Sequence, residues 1–103
     1  MTAKSQTNKM EIKIAKLAGT FADNKDLARE IRLTKIVPAL ERKEEVVLNF
    51  ERVGCATQSF IHVLISDVIR KYGSGVLDRI SFKNCNETVR KIIGMVVEYM
   101  QES

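Results

Sequence analysis

The fold is decided by residues 46–72, which read VVLNFERVGCATQSFIHVLISDVIRKY. The run Val46–Phe50 is short, apolar and rich in β-branched residues, which predicts a buried strand in the middle of a sheet. After a polar loop, apolar residues recur at helical spacing, which predicts a helix that begins at Gln58 or Ser59 and ends at Tyr72. The predicted apolar stripe of this helix consists of Phe60, Val63, Leu64, Val68 and Tyr72. A strand, a loop and a helix in this order form the repeating unit of α/β proteins.

Upstream of this unit, the sequence predicts another strand. Met10, Ile12 and Ile14 alternate with mostly polar residues, and Gly19 closes the pattern. An alternation with a period of two is typical of a strand that has one face on the core and one in water. We therefore expect this strand at an edge of the sheet.

A helix that meets a proline is expected next. The side chain of Asp23 or Asn24 can accept the first free amide protons, and an imperfect apolar stripe then continues to Leu40. Pro38 has no amide proton and crowds the preceding turn. A kink or a break is therefore expected near residues 34–37.

Downstream, the sequence predicts a third strand and a last helix. The strand begins at Val76 or Arg79 and ends at Phe82, and the side chain of Asn84 or Asn86 caps the helix. Three strands thus alternate with helices along the chain. This order predicts an α/β fold with a small, mostly parallel or mixed sheet and two to three helices packed on it.

The chain has 103 residues, 45% of them apolar, which fits one globular domain. Residues 1–8 are small and polar and are expected to form a flexible N-terminal tail, so that the domain spans residues 9–103. The first residues lack the apolar segment of a secretory signal, and no run approaches the length of a membrane span. Two cysteines are too few for a disulfide framework. These features predict a cytoplasmic protein.

Two loops are expected to carry the functional surface. In an open parallel sheet, binding residues gather where the strands end at their carboxyl edge. Residues 51–59 follow one predicted strand and residues 83–86 follow another. If these strands are neighbours, both loops lie on one rim, which we define by Cys55, Thr57, Gln58, Ser59, His62, Asn84 and Cys85.

Ser59 has two interpretations. Its hydroxyl can be the N-cap of the helix that begins here. Alternatively, it is a phospho-acceptor, because a phosphate at this position would lie against free helix amides and the positive end of the helix dipole.

The thiols and the histidine also have two interpretations each. Cys55 and Cys85 lie in different loops, so they are either small buried apolar side chains or a redox pair. His62 has apolar neighbours and lies off the main buried stripe, which favours a surface or partner contact over catalysis.

The sequence lacks the patterns of common catalytic sites. It contains no paired-carboxylate, triad or metal-ligand constellation, and Gly73-Ser74-Gly75 follows a helix where a phosphate-binding loop would precede one. The sequence therefore predicts a protein that is not an enzyme and that uses neither a cofactor nor a metal.

Three segments resemble the STAS-like domain family, whose relatives include the bacterial anti-sigma-factor antagonists. They are VVLNFERVGCATQSFIHVLISDVI at residues 46–69, IVPAL at residues 36–40 and ISFKNCNETVRKII at residues 80–93. The resemblance extends over about residues 10–98. It is closest to the compact STAS-like family of unassigned function.

The resemblance to the antagonists implies a role for Ser59. In that family a strand of the type LDLSGV leads to a DSSG segment, and a kinase of histidine-kinase-like ATPase fold phosphorylates its second serine. Thr57-Gln58-Ser59-Phe60 aligns with DSSG, and Asn49 stands where the antagonists have an aspartate. The similarity implies partner switching, in which phosphorylation releases a bound regulator. Phe60 replaces the glycine of DSSG, and the compact family implies a structural role for Ser59 and Phe60 instead, as helix cap and core anchor.

The leading prediction is a regulatory or adaptor module that binds a protein partner, for which an ATPase or kinase of histidine-kinase-like fold is the natural candidate. The alternative is a small basic nucleic-acid-associated protein of a defence or mobile-element system, because the net charge is +4. Lysines scattered through the N-terminal half motivate this alternative, among them Lys4, Lys9, Lys13, Lys16, Lys25 and Lys35. A third prediction is a homo-oligomer that assembles through the last helix.

Overall fold

A computed structural model of the chain describes residues 8–102, and the side chains of residues 8–101. The strands are β1 (Lys9–Lys13), β2 (Phe21–Ala22), β3 (Glu45–Asn49), β4 (Cys55–Ala56) and β5 (Ile80–Lys83). The α-helices are α1 (Ile14–Ala18), α2 (Lys25–Ile31), α3 (Val37–Glu41), α4 (Gln58–Tyr72) and α5 (Glu87–Glu102). A π-helical turn at Arg32–Ile36 joins α2 to α3, and a 3₁₀ segment at Ser74–Arg79 precedes β5. Most of the predicted tail, residues 1–7, lies outside the described residues.

The main sheet has three parallel strands in the order β1-β3-β5. β3 is the central strand, with Val46 opposite Met10 on one side and Ile80 on the other. A second, two-stranded parallel sheet joins β2 to β4. The predicted α/β class, the parallel sheet and the central position of Val46–Phe50 are confirmed.

The two faces of the main sheet differ in chemistry. The register brings Ile12, Leu48 and Phe82 together on the face that contacts the core. The opposite face, which we call the open face, carries charged and polar side chains such as Glu11 and Lys83. The largest fully buried side chains of the core include Phe50, Phe60, Ile14, Ile31, Ile36 and Leu48.

β1 is shorter than predicted. The alternation of Met10, Ile12 and Ile14 suggested a strand closed by Gly19, but the chain turns into α1 at Ile14, whose side chain is fully buried. A buried apolar residue at position 14 is expected both in a longer strand and in the first turn of a helix. The alternation alone therefore could not show where the strand ends. Gly19, at φ 78°, ends α1.

The expected irregularity before Pro38 is a wide helical turn. Asn24 caps α2, since its Oδ1 accepts hydrogen bonds from the amides of Asp26 at 2.9 Å and Leu27 at 3.2 Å. Residues 32–36 then form the π turn, and Pro38 lies in the first turn of α3. Proline is tolerated at the start of a helix because its missing donor is not needed there. The helical path is therefore widened where a kink or a break was predicted.

α4 lies between α2 and α5 and packs against both. Ile61 and Ile65 are fully buried although they fall outside the predicted apolar stripe, because α4 has a neighbouring helix on each side. Arg32 fixes this layer: its Nη1 donates to the carbonyl of Val63 at 2.8 Å and lies 3.1 Å from Oδ2 of Asp67. Within residues 8–102, no helix is long and apolar enough to cross a membrane.

Hydrogen bonds also join the C-terminal ends of α3 and α4 and the 3₁₀ segment. The Tyr72 hydroxyl donates to the Glu41 carboxylate, which tethers the end of α4 to α3. This hydrogen bond and the nearby charge of Lys71 lower the pKa of Glu41. The guanidinium of Arg79 donates to the carbonyl of Leu40 at 2.9 Å. These contacts fix α3 against the segment that leads into β5.

Candidate functional site

The two predicted loops do lie on the same edge of the sheet. β3 and β5 are parallel neighbours, so residues 51–59 and 83–86 both leave the sheet at its carboxyl edge. The amide of Phe50 donates to the carbonyl of Lys83 at 2.8 Å. Nδ2 of Asn86 donates to the carbonyl of Gly54 at 2.9 Å. These hydrogen bonds hold the two loops beside each other.

The Asn49 side chain links three segments at this edge of the sheet. Only 5% of it is exposed. Its Nδ2 donates to Glu11 Oε2 at 2.8 Å, and its Oδ1 accepts from the amide of Glu51 at 2.9 Å and from Asn84 Nδ2 at 3.0 Å. A buried amide needs both donors and acceptors, and Asn49 has them on three segments. Asn84, a predicted rim residue, thus has a structural role and takes the left-handed conformation that asparagine tolerates, at φ 59°.

The N-cap of α4 is Thr57. Its Oγ1 accepts a hydrogen bond from the amide of Phe60 at 3.0 Å, and its own amide donates to the carbonyl of Ala22 at 2.9 Å. The prediction that Ser59 is the helix cap is wrong, because Ser59 is the second residue of α4 and its side chain is exposed. The sequence offers two hydroxyls near the helix start. Thr57 is the cap because its backbone is extended, at ψ 156°, and its amide is paired with Ala22, whereas Ser59 is already helical.

Ser59 opens onto a shallow pocket of about 310 Å³. Lys25, Gln58, His62 and Val63 line it together with Ser59. The structure thus brings together three of the predicted rim residues and adds Lys25, which comes from α2. We call these five residues the Ser59 pocket.

His62 lies at the junction of the two long helices. Its imidazole is half-buried, and its ring centroid lies 6.3 Å from that of Tyr99 on α5. No acidic or nucleophilic residue lines the pocket around it apart from Ser59.

The two cysteines are separate, free thiols. Cys55 lies on β4, opposite Phe21. Cys85 lines a different groove, of about 640 Å³, between β5 and α5. Burial raises the pKa of the Cys85 thiol, and the charge of Arg90 offsets only part of this shift. A raised pKa keeps a thiol protonated and is not typical of a reactive cysteine.

A third pocket, of about 250 Å³, lies at the carboxyl ends of β1 and β3. Its lining residues are Lys13, Ala15, Lys16, Asn49, Glu51 and Arg52. Sequence reasoning missed it, because β1 was extended past its true end. Lys13, at the end of the predicted strand pattern, and Lys16, three residues later, were the signal that could have found it. We call it the basic pocket.

Among residues 8–102, no group of three or more histidine, cysteine, aspartate or glutamate side chains is placed to hold a metal ion.

Comparison with known protein families gives a match over most of the domain. The family model for the STAS-like domain of unknown function (DUF4325) matches residues 28–90, from α2 to the first turn of α5. No curated protein and no solved structure matches the chain significantly. The matched range contains Ser59 and its pocket except Lys25, and it begins after Lys13 and Lys16.

Proposed function

Since the chain belongs to the family of STAS-like domains of unknown function, we propose that it is a non-enzymatic regulatory module of the cytoplasm that binds a protein partner through the Ser59 pocket. The partner we favour is an ATPase or kinase of histidine-kinase-like fold. Phosphorylation of Ser59 would switch this binding off.

The observation that carries the proposal is the position of Ser59. Its hydroxyl is exposed at the positive end of a 15-residue helix and opens onto a pocket that also contains Lys25. The first amides of a helix have no acceptor within the helix, and here Thr57 satisfies the amide of Phe60. The amides of Gln58 and Ser59 therefore remain to face an added phosphate, as does the ammonium group of Lys25.

Phe60 does not prevent a kinase from reaching Ser59. In the antagonists a glycine follows the serine, and a bulky residue there could block the approach of an enzyme. The Phe60 ring is fully buried in the core, on the side of α4 away from the pocket. The replacement of glycine therefore strengthens the core and leaves the hydroxyl accessible.

A phosphate on Ser59 would change binding without changing the fold. It adds about two negative charges to a surface that a partner must desolvate on binding. Because the site is exposed, the modified chain keeps its core contacts. The expected effect is a lower affinity for the partner at unchanged stability.

The test uses purified histidine-kinase-like ATPases from the same organism, incubated with the chain and Mg-ATP. Calorimetry measures the complex, and mass spectrometry locates any phosphate. We expect at least one ATPase to bind the wild type and to modify Ser59, and we expect Ser59→Glu to weaken the complex about tenfold or more.

The matched control is Thr88→Glu. Thr88 is the exposed second residue of α5, so it gives the same substitution at the same helical position on another helix. Its affinity should match that of the wild type. If no ATPase binds or modifies the chain, or if both glutamate variants behave alike, the proposal is wrong.

The alternative of a nucleic-acid-associated protein has one observation in its favour, which is that Lys9, Lys13 and Lys83 share the open face of the sheet. Glu11 and Glu45 interrupt them, and Lys25 lies on the helical side in the Ser59 pocket. Lys4 lies outside the described residues. A complex with DNA or RNA that weakens steeply with salt would support this alternative.

A further inference from the structure

The basic pocket gathers three cationic side chains from two segments of the chain. Lys13 is the last residue of β1, Lys16 lies in α1, and Arg52 lies in the turn after β3. Residues 8–102 provide none of the three with an ion pair or a side-chain hydrogen bond. Like charges that share a pocket repel each other, and that repulsion is relieved when an anion binds between them.

The turn that presents Arg52 has an unfavourable backbone for this residue. The amide of Val53 donates to the carbonyl of Phe50 at 3.0 Å, and Arg52, the third residue of the turn, has φ 71°. Glycine is the residue that such a position favours. Strained positions of this kind are concentrated at binding sites. Arg52 thus places its guanidinium at the pocket from a backbone conformation that favours glycine.

The neighbouring charges leave the pocket positive. Glu51 also lines it, so the lining carries three cations and one carboxylate. Just outside, Glu11 and Lys83 lie on either side of Asn49 and balance each other. The net charge of the lining, two positive charges, matches a phosphate monoester, which carries about 1.5 to 2 negative charges at neutral pH.

The size and lining of the pocket define the ligand further. Its volume of about 250 Å³ is below the roughly 300–1,000 Å³ of sites that enclose whole drug-sized ligands. It has no aromatic side chain on which a nucleobase could stack. Lysine and arginine are the side chains that bind phosphate oxygens, arginine through paired hydrogen bonds.

We propose that the basic pocket binds the phosphate group of a small phosphorylated molecule, or inorganic phosphate itself, at the carboxyl edge of β1 and β3. Ligands of open α/β sheets bind at this edge. The pocket shares no lining residue with the Ser59 pocket. The proposal therefore stands or falls independently of the proposed function.

The test is a titration of the ¹⁵N-labelled full chain followed by NMR, at constant ionic strength set with chloride. The probes are inorganic phosphate, glycerol 3-phosphate and a short oligonucleotide without terminal phosphates. We expect saturable shifts at the amides of Ala15, Asn49 and Arg52 with the first two probes. Tighter binding of glycerol 3-phosphate would identify an organic ligand, and equal binding would identify inorganic phosphate.

Two substitutions and one control make the test specific. Arg52→Gly removes the guanidinium and suits the positive φ, so the chain keeps its fold, and Lys13→Gln removes a second cation. Each should weaken phosphate binding about tenfold or more. The control Arg29→Gln removes an exposed arginine of α2 and should leave the affinity unchanged.

Three results would overturn the proposal. In the first, neither phosphate probe saturates. In the second, Arg29→Gln weakens phosphate binding as much as Arg52→Gly and Lys13→Gln do. In the third, only the oligonucleotide gives saturable shifts. The last result would instead favour the nucleic-acid alternative.

Discussion

The hydrogen bonds of Asn49 explain why an asparagine stands where the antagonists have an aspartate. The antagonists have an aspartate at the matching position, and aspartate has no donor when ionised. In this chain Glu11 lies 2.8 Å from Asn49 Nδ2, so the position needs a group that donates on one side and accepts on the other. An amide does both at neutral pH, whereas an ionised aspartate only accepts.

We predict that Asn49→Asp destabilises the chain by about 2 kcal/mol at pH 7, because it removes a donor and places two carboxylates in contact at a largely buried site. The loss should shrink as the pH falls, since protonation of either carboxyl group restores a donor. Urea unfolding at several pH values measures both effects. Adding Glu11→Gln should recover most of the stability. A double variant as unstable as the single one would contradict this account of Asn49.

At the scale of the element, α4 depends on a cap outside the helix and on neighbours along both sides. Its first residues are polar and exposed, whereas its middle is buried between α2 and α5. The start of the helix is therefore its accessible part. Different residues carry its stability and its accessible group: Thr57 caps the helix, and Ser59 provides the exposed hydroxyl.

We predict that Thr57→Ala lowers the free energy of unfolding by about 1 kcal/mol, because the amide of Phe60 loses its acceptor. Ser59→Ala should change it by less than about 0.5 kcal/mol, since the side chain is exposed. Thermal or urea unfolding of both variants provides the comparison. Equal losses, or a larger loss for Ser59→Ala, would return the capping role to Ser59.

At the scale of the whole molecule, one core lies between a helical layer and a single face of the sheet. The other face is polar, so the main sheet is covered on one side only within the described residues. A domain of this size has a total stability of about 5–15 kcal/mol. A single large core residue therefore accounts for a substantial part of it.

We predict that Phe60→Ala destabilises the chain by about 3–5 kcal/mol, because it leaves a cavity at a fully buried position. Phe21→Ala is the matched control, since 52% of Phe21 is exposed. It should cost less than about 1 kcal/mol. Circular dichroism during urea unfolding measures both. A comparable loss for the two variants would show that the core is not centred on α4.

The predicted homo-oligomer also belongs to this scale. Met95, which is half exposed, lies on the outer side of α5. Assembly through this helix stays a prediction, because a single exposed apolar residue does not show whether another copy of the chain binds there.

The sequence by itself determined the elements whose signals are local. The buried strand near Val46–Phe50, a cap at Asp23 or Asn24 and a helix from Gln58 or Ser59 to Tyr72 follow from residue patterns a few positions long. Periodicity and capping act over one or two turns, so they can be read without the fold. The resemblance at residues 46–69 supplied the family, which the match to residues 28–90 confirms.

Only the tertiary structure decided which side chains meet. The contact of Asn49 with Glu11 and Asn84 joins residues more than 30 positions apart, and the basic pocket joins Lys13 to Arg52. The early end of β1 comes with the burial of Ile14, and the choice of Thr57 over Ser59 as cap comes with the hydrogen bond from Thr57 to Ala22, a residue 35 positions away. Burial and long-range pairing are properties of the packed chain, because each depends on the positions of all its neighbours and no local pattern contains them.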